Sequence, residues 1–210
     1  MRISNLFARI EEVLWPRGVI CLACSERSRG EYLCPECREA LNAARIGDSD
    51  GSAQSIWRYE GVAKKLVHTL KFNCVEDAAT VLAQEISSHV KRMNLPQDTV
   101  FTWVTMPVKR YRERGIDHGR TLCENAAQIA GFSSRQLLVR TRRVKRQLGL
   151  SREERIKNLQ NAFSCVEDVP QSVLLIDDVM TTGATTAVCV QALKDAGAKQ
   201  VYVLTATKVI

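Results

Sequence analysis

The sequence predicts an α/β protein, a doubly wound and mainly parallel sheet carrying a small N-terminal zinc-binding module. Three observations predict it. Strand-like apolar runs alternate with helix-like segments from residue 57 to the C-terminus. One of those runs, Val173-Leu174-Leu175-Ile176, has no polar alternation, as expected of a strand covered on both faces of a parallel sheet. Ahead of the alternation, four cysteines fall between residues 21 and 37 in two Cys-x-x-Cys pairs. The expected division is a helix and cysteine module over 1–45, a linker over 46–56 and the main domain over 57–210.

In chain order, Ile3, Leu6, Phe7, Ile10, Val13 and Leu14 form one helical stripe that Pro16 ends. Arg9, Glu11 and Glu12 interrupt it, which excludes a signal-peptide core; a helix docked on its own domain is expected ahead of one lying on a membrane surface. Residues 38–55 are small and polar around Gly47, Asp48, Ser49, Asp50, Gly51 and Ser52, the composition of a linker. Residues 61–70 and 75–93 space their apolar positions as helices. Residues 100–106, rich in β-branched and aromatic side chains, read as a strand. Asp117 is the expected N-cap of a helix that runs to Ala130 and stops at Gly131. Ser151 and Glu154 make a capping-box pattern for a short helix to Gln160. Residues 187–193 read as a helix that Gly197 closes, and 201–207 as the last strand.

Eight cysteines without a secretion signal argue against a disulfide framework. Cys21 and Cys24, then Cys34 and Cys37 after nine intervening residues, offer two thiolate pairs that together complete a tetrahedral zinc site. Ser25, Ser28 and Gly30 let the spacer turn back between them. Four sulfur ligands leave no open position, so the expected Zn2+ is structural. A redox reading would need only one pair, set in a βαβ unit. Cys74, Cys123, Cys165 and Cys189 are scattered and read as inert buried thiols. No stretch approaches the roughly 18 apolar residues that span a bilayer, and a cytoplasmic protein is expected.

The chemistry concentrates in residues 173–185. Asp177 and Asp178 stand where the apolar strand is expected to end, and Thr181, Thr182, Gly183, Ala184 and Thr185 lead into the next helix. Unpaired N–H groups at a helix start, beside a glycine that permits close approach, seat a phosphate. Carboxylates repel that phosphate but accept hydrogen bonds from sugar hydroxyls nearby. Together they describe a ribose 5-phosphate site, although an ordinary doubly wound fold can carry the same strand, acid and turn on its surface. No Walker pattern and no Gly-x-Gly-x-x-Gly is present.

Four hydrophobic residues, two acids and Thr-Thr-Gly-x-Thr resemble, position for position, the signature of the type I phosphoribosyltransferases. The resemblance implies that the catalytic pair Asp177 and Asp178 contacts the ribose 2- and 3-hydroxyls. It implies that residues 181–185 hold the 5-phosphate of 5-phosphoribosyl-1-pyrophosphate, with Mg2+ accompanying the substrate. The order of cysteine module first and this motif last is similar to the ComF family of late-competence and DNA-utilisation proteins. Tyr59-Glu60-Gly61 with Lys71-Phe72 resembles that family's Tyr-x-Gly and Lys-Phe/Tyr elements. Pro107 and the run from Arg110 to Gly115 resemble its Arg-x-x-x-Arg-Gly stretch, and Gln147, Leu150, Arg155, Asn158, Ala162 and Phe163 resemble a later one. Where family members continue Arg-Gly with Phe-Asn-Gln, this chain has Ile116-Asp117-His118.

Charge is as uneven as the motifs. Residues 109–157 hold fourteen Lys/Arg against five Asp/Glu while the whole chain carries +7, so the basic excess lies inside this stretch. Lys109, Arg110, Arg112 and Arg114 follow a strand and match where transferases of this class hold pyrophosphate. Arg142 and Arg143 fall where that superfamily carries a mobile hood. Two functions are carried forward. The first is a phosphoribosyl-pyrophosphate-binding protein of the DNA-uptake class. The alternative is a non-catalytic scaffold whose cations neutralise single-stranded DNA beside a DNA-uptake helicase, although 6% aromatic residues give bases little to stack on. His68, His89 and His118 are expected to be surface histidines, with His118 nearest the site.

Overall fold

The computed structural model describes residues 20–28, 30–47, 51, 53–72, 75–141, 162–166 and 168–210. The N-terminal stripe, Cys74, Arg142, Arg143 and the Ser151/Glu154 capping box lie outside the described residues.

Helix α1 (Pro35–Ala43) follows the cysteine turns and starts on Pro35, whose missing N–H costs nothing in a first turn. Strand β1 (Ala53–Arg58) precedes helices α2 (Gly61–Phe72) and α3 (Val75–Val90). Strand β2 (Val100–Trp103) is followed by the short helix α4 (Val108–Arg114) and by α5 (His118–Ala130). Strands β3 (Ser133–Ser134), β4 (Leu138–Arg140) and β5 (Phe163–Cys165) come next. The chain closes with β6 (Ser172–Met180), α6 (Ala184–Asp195) and β7 (Gln200–Lys208).

Five strands form one parallel sheet in the order β1-β7-β6-β2-β3, while β4 and β5 pair antiparallel beside it. The pleat of β6 divides the core. Leu174 and Ile176 pack with Leu66, Leu82 and Leu122 of α2, α3 and α5. Val173 and Leu175 face the other way, onto Cys189 and Leu193 of α6 and Leu138 and Phe163 of β4 and β5. Helices on both faces make this the doubly wound architecture that the sequence predicts.

Three element boundaries differ from expectation. The linker read over 46–56 gives way to strand β1 at Ala53. Its Ile56 and Trp57 are buried, and its backbone completes the open edge of β7, with Ser55 and Thr205 hydroxyls 2.7 Å apart. Sheet completion outweighs the polar composition there. The strand read over 100–106 stops at Trp103, because Pro107 caps α4 and the intervening residues serve as its approach. Most consequential, β6 does not end before the acids. Pairing with β7 runs through Asp177↔Thr205 to Met180↔Lys208, so both aspartates sit inside a strand.

The cysteine module shares the main core. Leu33 and Leu41 belong to the same buried cluster as Leu66 and Leu70 of α2. Thr69 donates to the Leu22 carbonyl at 3.4 Å, Arg45 pairs with Glu85, and the Arg45 guanidinium lies 5.5 Å from the Trp57 ring centre. Among the described residues, no helix is long and apolar enough to cross a membrane.

Candidate functional site

Cys21, Cys24, Cys34 and Cys37 bring four Sγ atoms within 4.8 Å of one another, and none of them is in a disulfide. Ser25 takes a left-handed conformation (φ 65°) and its N–H returns to the Cys21 carbonyl at 2.9 Å, turning the first pair inward. Pro35 starts α1 between the second pair, so Cys34 caps the helix and Cys37 lies one turn in. The Cys24 and Cys34 sulfurs are 3.7 Å apart. Sulfurs at the corners of a tetrahedron with zinc–sulfur bonds of about 2.3 Å lie about 3.8 Å apart. Burial would raise the Cys21 thiol, but backbone N–H groups of Cys34, Ala23 and Cys24 outweigh it and bring it down to about 6. Burial, with neighbouring thiols, pushes Cys37 the other way, well above the usual thiol range. An arrangement that stabilises one thiolate and crowds three more against it is positioned to bind a metal ion.

The second site lies at the carboxyl end of β6. Successive side chains of a strand point to opposite faces, so the two acids part company. Asp178 follows Leu174 and Ile176 onto the α2/α5 face, where it is buried. There Lys71 Nζ, from the end of α2, donates to Oδ1 at 2.8 Å, and His118 Nε2, from the start of α5, lies 2.9 Å from Oδ2. The Asp178 backbone carbonyl accepts from the Thr207 hydroxyl at 2.9 Å. Burial alone would raise this carboxyl. The His118 hydrogen bond and the Lys71 charge outweigh it and hold Asp178 below the ordinary carboxylate value.

Asp177 follows Val173 and Leu175 onto the α6 face and is only partly buried. Its Oδ1 accepts the Asp178 N–H at 2.9 Å. Burial first, and the Asp178 charge second, push it up to about 7. On the same side of the strand, residues 181–183 turn into α6. Gly183 occupies the N-cap with φ 73° and has no side chain with which to cap the helix. A Cβ at Gly183 would meet only the Met180 sulfur, at 4.0 Å, so backbone conformation rather than crowding calls for glycine here. Thr182 Oγ1 accepts the Ala184 N–H at 3.5 Å.

The basic residues divide as well. Helix α4 rides on the surface with no buried residue, exposing Lys109 (3.9 Å from Glu113), Arg112 and Tyr111. Arg114 turns inward, 3.3 Å from His118 Nδ1 and 4.7 Å from the Phe72 ring centre. Arg140, in β4, stacks at 4.8 Å on Phe163, and its Nε is buried without a partner. Burial, with the Arg110 charge nearby, pulls the Arg140 guanidinium below its ordinary value.

The structure puts Asp177 on the strand face that carries α6 and draws Asp178 into a clamp that the sequence does not announce. His118, expected at the surface, has a side chain only 12% exposed and bonded at both ring nitrogens. His89 is buried against Gln54, and His68 alone of the three is a surface residue. Lys71 stood among the family landmarks, and that was its only signal. Arg140 lay inside the basic run without distinguishing itself.

No family model matches the chain. The chain is similar to the DNA utilization protein YhgH of Salmonella typhi, 31% identical over 199 residues that cover 88% of each chain. The protein of that name in Escherichia coli K12 is 29% identical over 201 residues, again 88% of each. Competence protein ComFC of Streptococcus pneumoniae is 28% identical over 181 residues, 82% of this chain and 79% of that one. Among solved structures, the allosteric regulatory enzyme of purine biosynthesis overlaps 66% of this chain at TM-score 0.43 and 17% identity, and the chain spans 30% of that enzyme. A hypoxanthine phosphoribosyltransferase from Staphylococcus aureus overlaps 60% of this chain and 61% of its own, at TM-score 0.35 and 11% identity.

Proposed function

The chain belongs to the family of DNA utilization protein YhgH, and on that premise we propose that it serves DNA utilisation by binding 5-phosphoribosyl-1-pyrophosphate at the carboxyl end of β6. One observation carries the reading: Asp177 and the glycine-led start of α6 lie on the same face of the strand. The N–H groups that open α6 hold the 5-phosphate, helped by the helix dipole and the Thr181, Thr182 and Thr185 hydroxyls. Asp177 accepts from the ribose hydroxyls. Cations from α4 and β4 take the pyrophosphate, Arg140 foremost, because its buried Nε has no hydrogen-bond partner and its charge lies near that of Arg110. Mg2+ arrives with the pyrophosphate as part of the ligand and neutralises its charge.

The same reading assigns Zn2+ to the four cysteines as a structural ion, holding the module against α2. Asp178 becomes the anchor of the site's opposite wall, joining α2, β6 and α5.

Calorimetry with 5-phosphoribosyl-1-pyrophosphate and Mg2+ tests the assignment. Wild-type protein should bind, and Asp177→Asn should weaken binding by on the order of tenfold or more, the worth of a charged hydrogen bond. Unchanged affinity in that variant would remove the pentose assignment. Incubation with candidate acceptors, read by pyrophosphate release, then reports whether the bound sugar is transferred.

A further inference from the structure

We propose that His118 is a positioning residue of this site, coupling Arg114 on the pyrophosphate side to Asp178 on the strand through one fixed ring tautomer. The inference rests on the ligand reading above and deepens it.

The tautomer follows from the chemistry of the two partners. A guanidinium has donors and no acceptor, so where Arg114 Nη1 meets His118 Nδ1 at 3.3 Å the ring nitrogen must accept. An ionised carboxylate only accepts, so His118 Nε2, 2.9 Å from Asp178 Oδ2, must carry the hydrogen. Both bonds exist together only in the neutral ring with its hydrogen on Nε2. The ring is nearly enclosed, its side chain 12% exposed, and Lys71 holds the other oxygen of the same carboxylate. Phe72 supports the Arg114 guanidinium from its far side at 4.7 Å. One chain of contacts thus runs from Lys71 through Asp178 and His118 to Arg114 and joins the ends of α2, β6, α4 and α5.

The charged groups facing His118 are Asp178 of β6, Lys71 of α2 behind that carboxylate, and Arg114 of α4. Adding a proton at Nδ1 replaces the acceptor with a donor and sets two cations against each other. Arg114 then loses its seat, while the bond to Asp178 survives.

The two halves separate by mutation. The His118→Asn oxygen lies where Nδ1 does and keeps an acceptor for Arg114 but no donor for Asp178. The His118→Gln amide reaches the Nε2 position and keeps the donor but not the acceptor. In free protein, nitrogen NMR of the ring should show Nε2 protonated and Nδ1 bare near pH 8, and Arg114→Met should shift the Nδ1 resonance. A proton on Nδ1 near pH 8, or an Nδ1 signal indifferent to Arg114→Met, overturns the proposal. In calorimetry with 5-phosphoribosyl-1-pyrophosphate, each variant should bind on the order of tenfold more weakly. Unchanged affinity in both variants overturns the proposal. If wild-type protein binds no such ligand, the function proposed above fails instead, and the ring spectrum still decides the role of His118.

Discussion

The cysteine cluster and the acid pair each crowd ionisable groups together, and they are balanced from opposite directions. At the cysteines, four thiols converge with backbone donors aimed at Cys21, and among the described residues no cationic side chain is paired with any of them. On the zinc reading, the balancing charge comes from outside the chain. At Asp178 the chain supplies its own partners, the Lys71 cation and the His118 ring N–H, from two different helices. A site completed by an added ion draws its stability from that ion, whereas a site completed internally keeps its geometry with or without ligand. Asp177, one residue away, shares neither solution: the neighbouring Asp178 charge raises it, and its Oδ1 accepts the Asp178 backbone N–H.

Removing the outside partner should have the largest effect. Structural zinc binds zinc-finger peptides with on the order of 10–16 kcal/mol, and here the cysteines share a buried cluster with Leu66 and Leu70 of α2. Metal analysis should find about one zinc per chain, and Cys37→Ser should lower that to near zero. Because the module and α2 form one cluster, chelation should lower the melting temperature of the whole chain in a single transition. A melting curve indifferent to chelator would break the comparison, since the cluster would then be balanced without an ion.

The internal balance is next in size. Asp178→Ala leaves Lys71 and His118 unpaired at side-chain exposures of 21% and 12%. Breaking a buried pair from one side costs about 3–5 kcal/mol, read in a urea titration. Asp177→Asn should cost far less, because it replaces a carboxylate that burial already disfavours. Equal losses from the two variants would show that Asp178 is not the anchored member.

The contrast also marks what the sequence could convey. The four-cysteine cluster was legible because its partners lie within seventeen residues and repeat a fixed spacing. The strand, Thr/Gly turn and helix around Asp177 were legible because they are contiguous. The Asp178 clamp was not, since it joins residues separated by 107 positions in sequence, and nothing local to Lys71 announces β6. Adjacent acids also read as one pair until β6 is seen to continue through them, which depends on the register with β7. Strand β1 was hidden for a related reason: its identity comes from the edge of β7 that it completes, while the residues before it have a linker's composition.

Acidity separates the two aspartates in sign. Asp177 is raised from 3.8 to about 7, so the folded state favours its protonated form. Its contribution to stability is full below about pH 4 and is lost as pH rises through about 7. Asp178 is lowered, so its contribution is present above 3.8 and is lost as pH falls through its folded value. Urea midpoints should therefore fall from about pH 5 to about pH 8 in wild-type protein and fall less in Asp177→Asn. Superimposable profiles would show that Asp177 ionises at its ordinary value and would erase the distinction between the two carboxylates.

The smallest effect tests how far the internal clamp depends on its supports. Asp117 is the N-cap of α5, and its Oδ1 accepts the Arg120 N–H at 3.2 Å. His118 is the first residue of that helix, so the cap fixes the direction from which the imidazole approaches Asp178. Asp117→Ala removes one bond to an otherwise unpaired backbone donor, a loss of about 1 kcal/mol. Asp117→Asn restores the acceptor and should recover most of it. If the clamp is held independently by Lys71 and His118, the alanine variant should lose this stability while the His118 ring spectrum keeps its tautomer. A change of tautomer would mean that the start of α5 sets the geometry of the carboxylate, and that the two charge-balanced regions differ less in self-sufficiency than their contacts suggest.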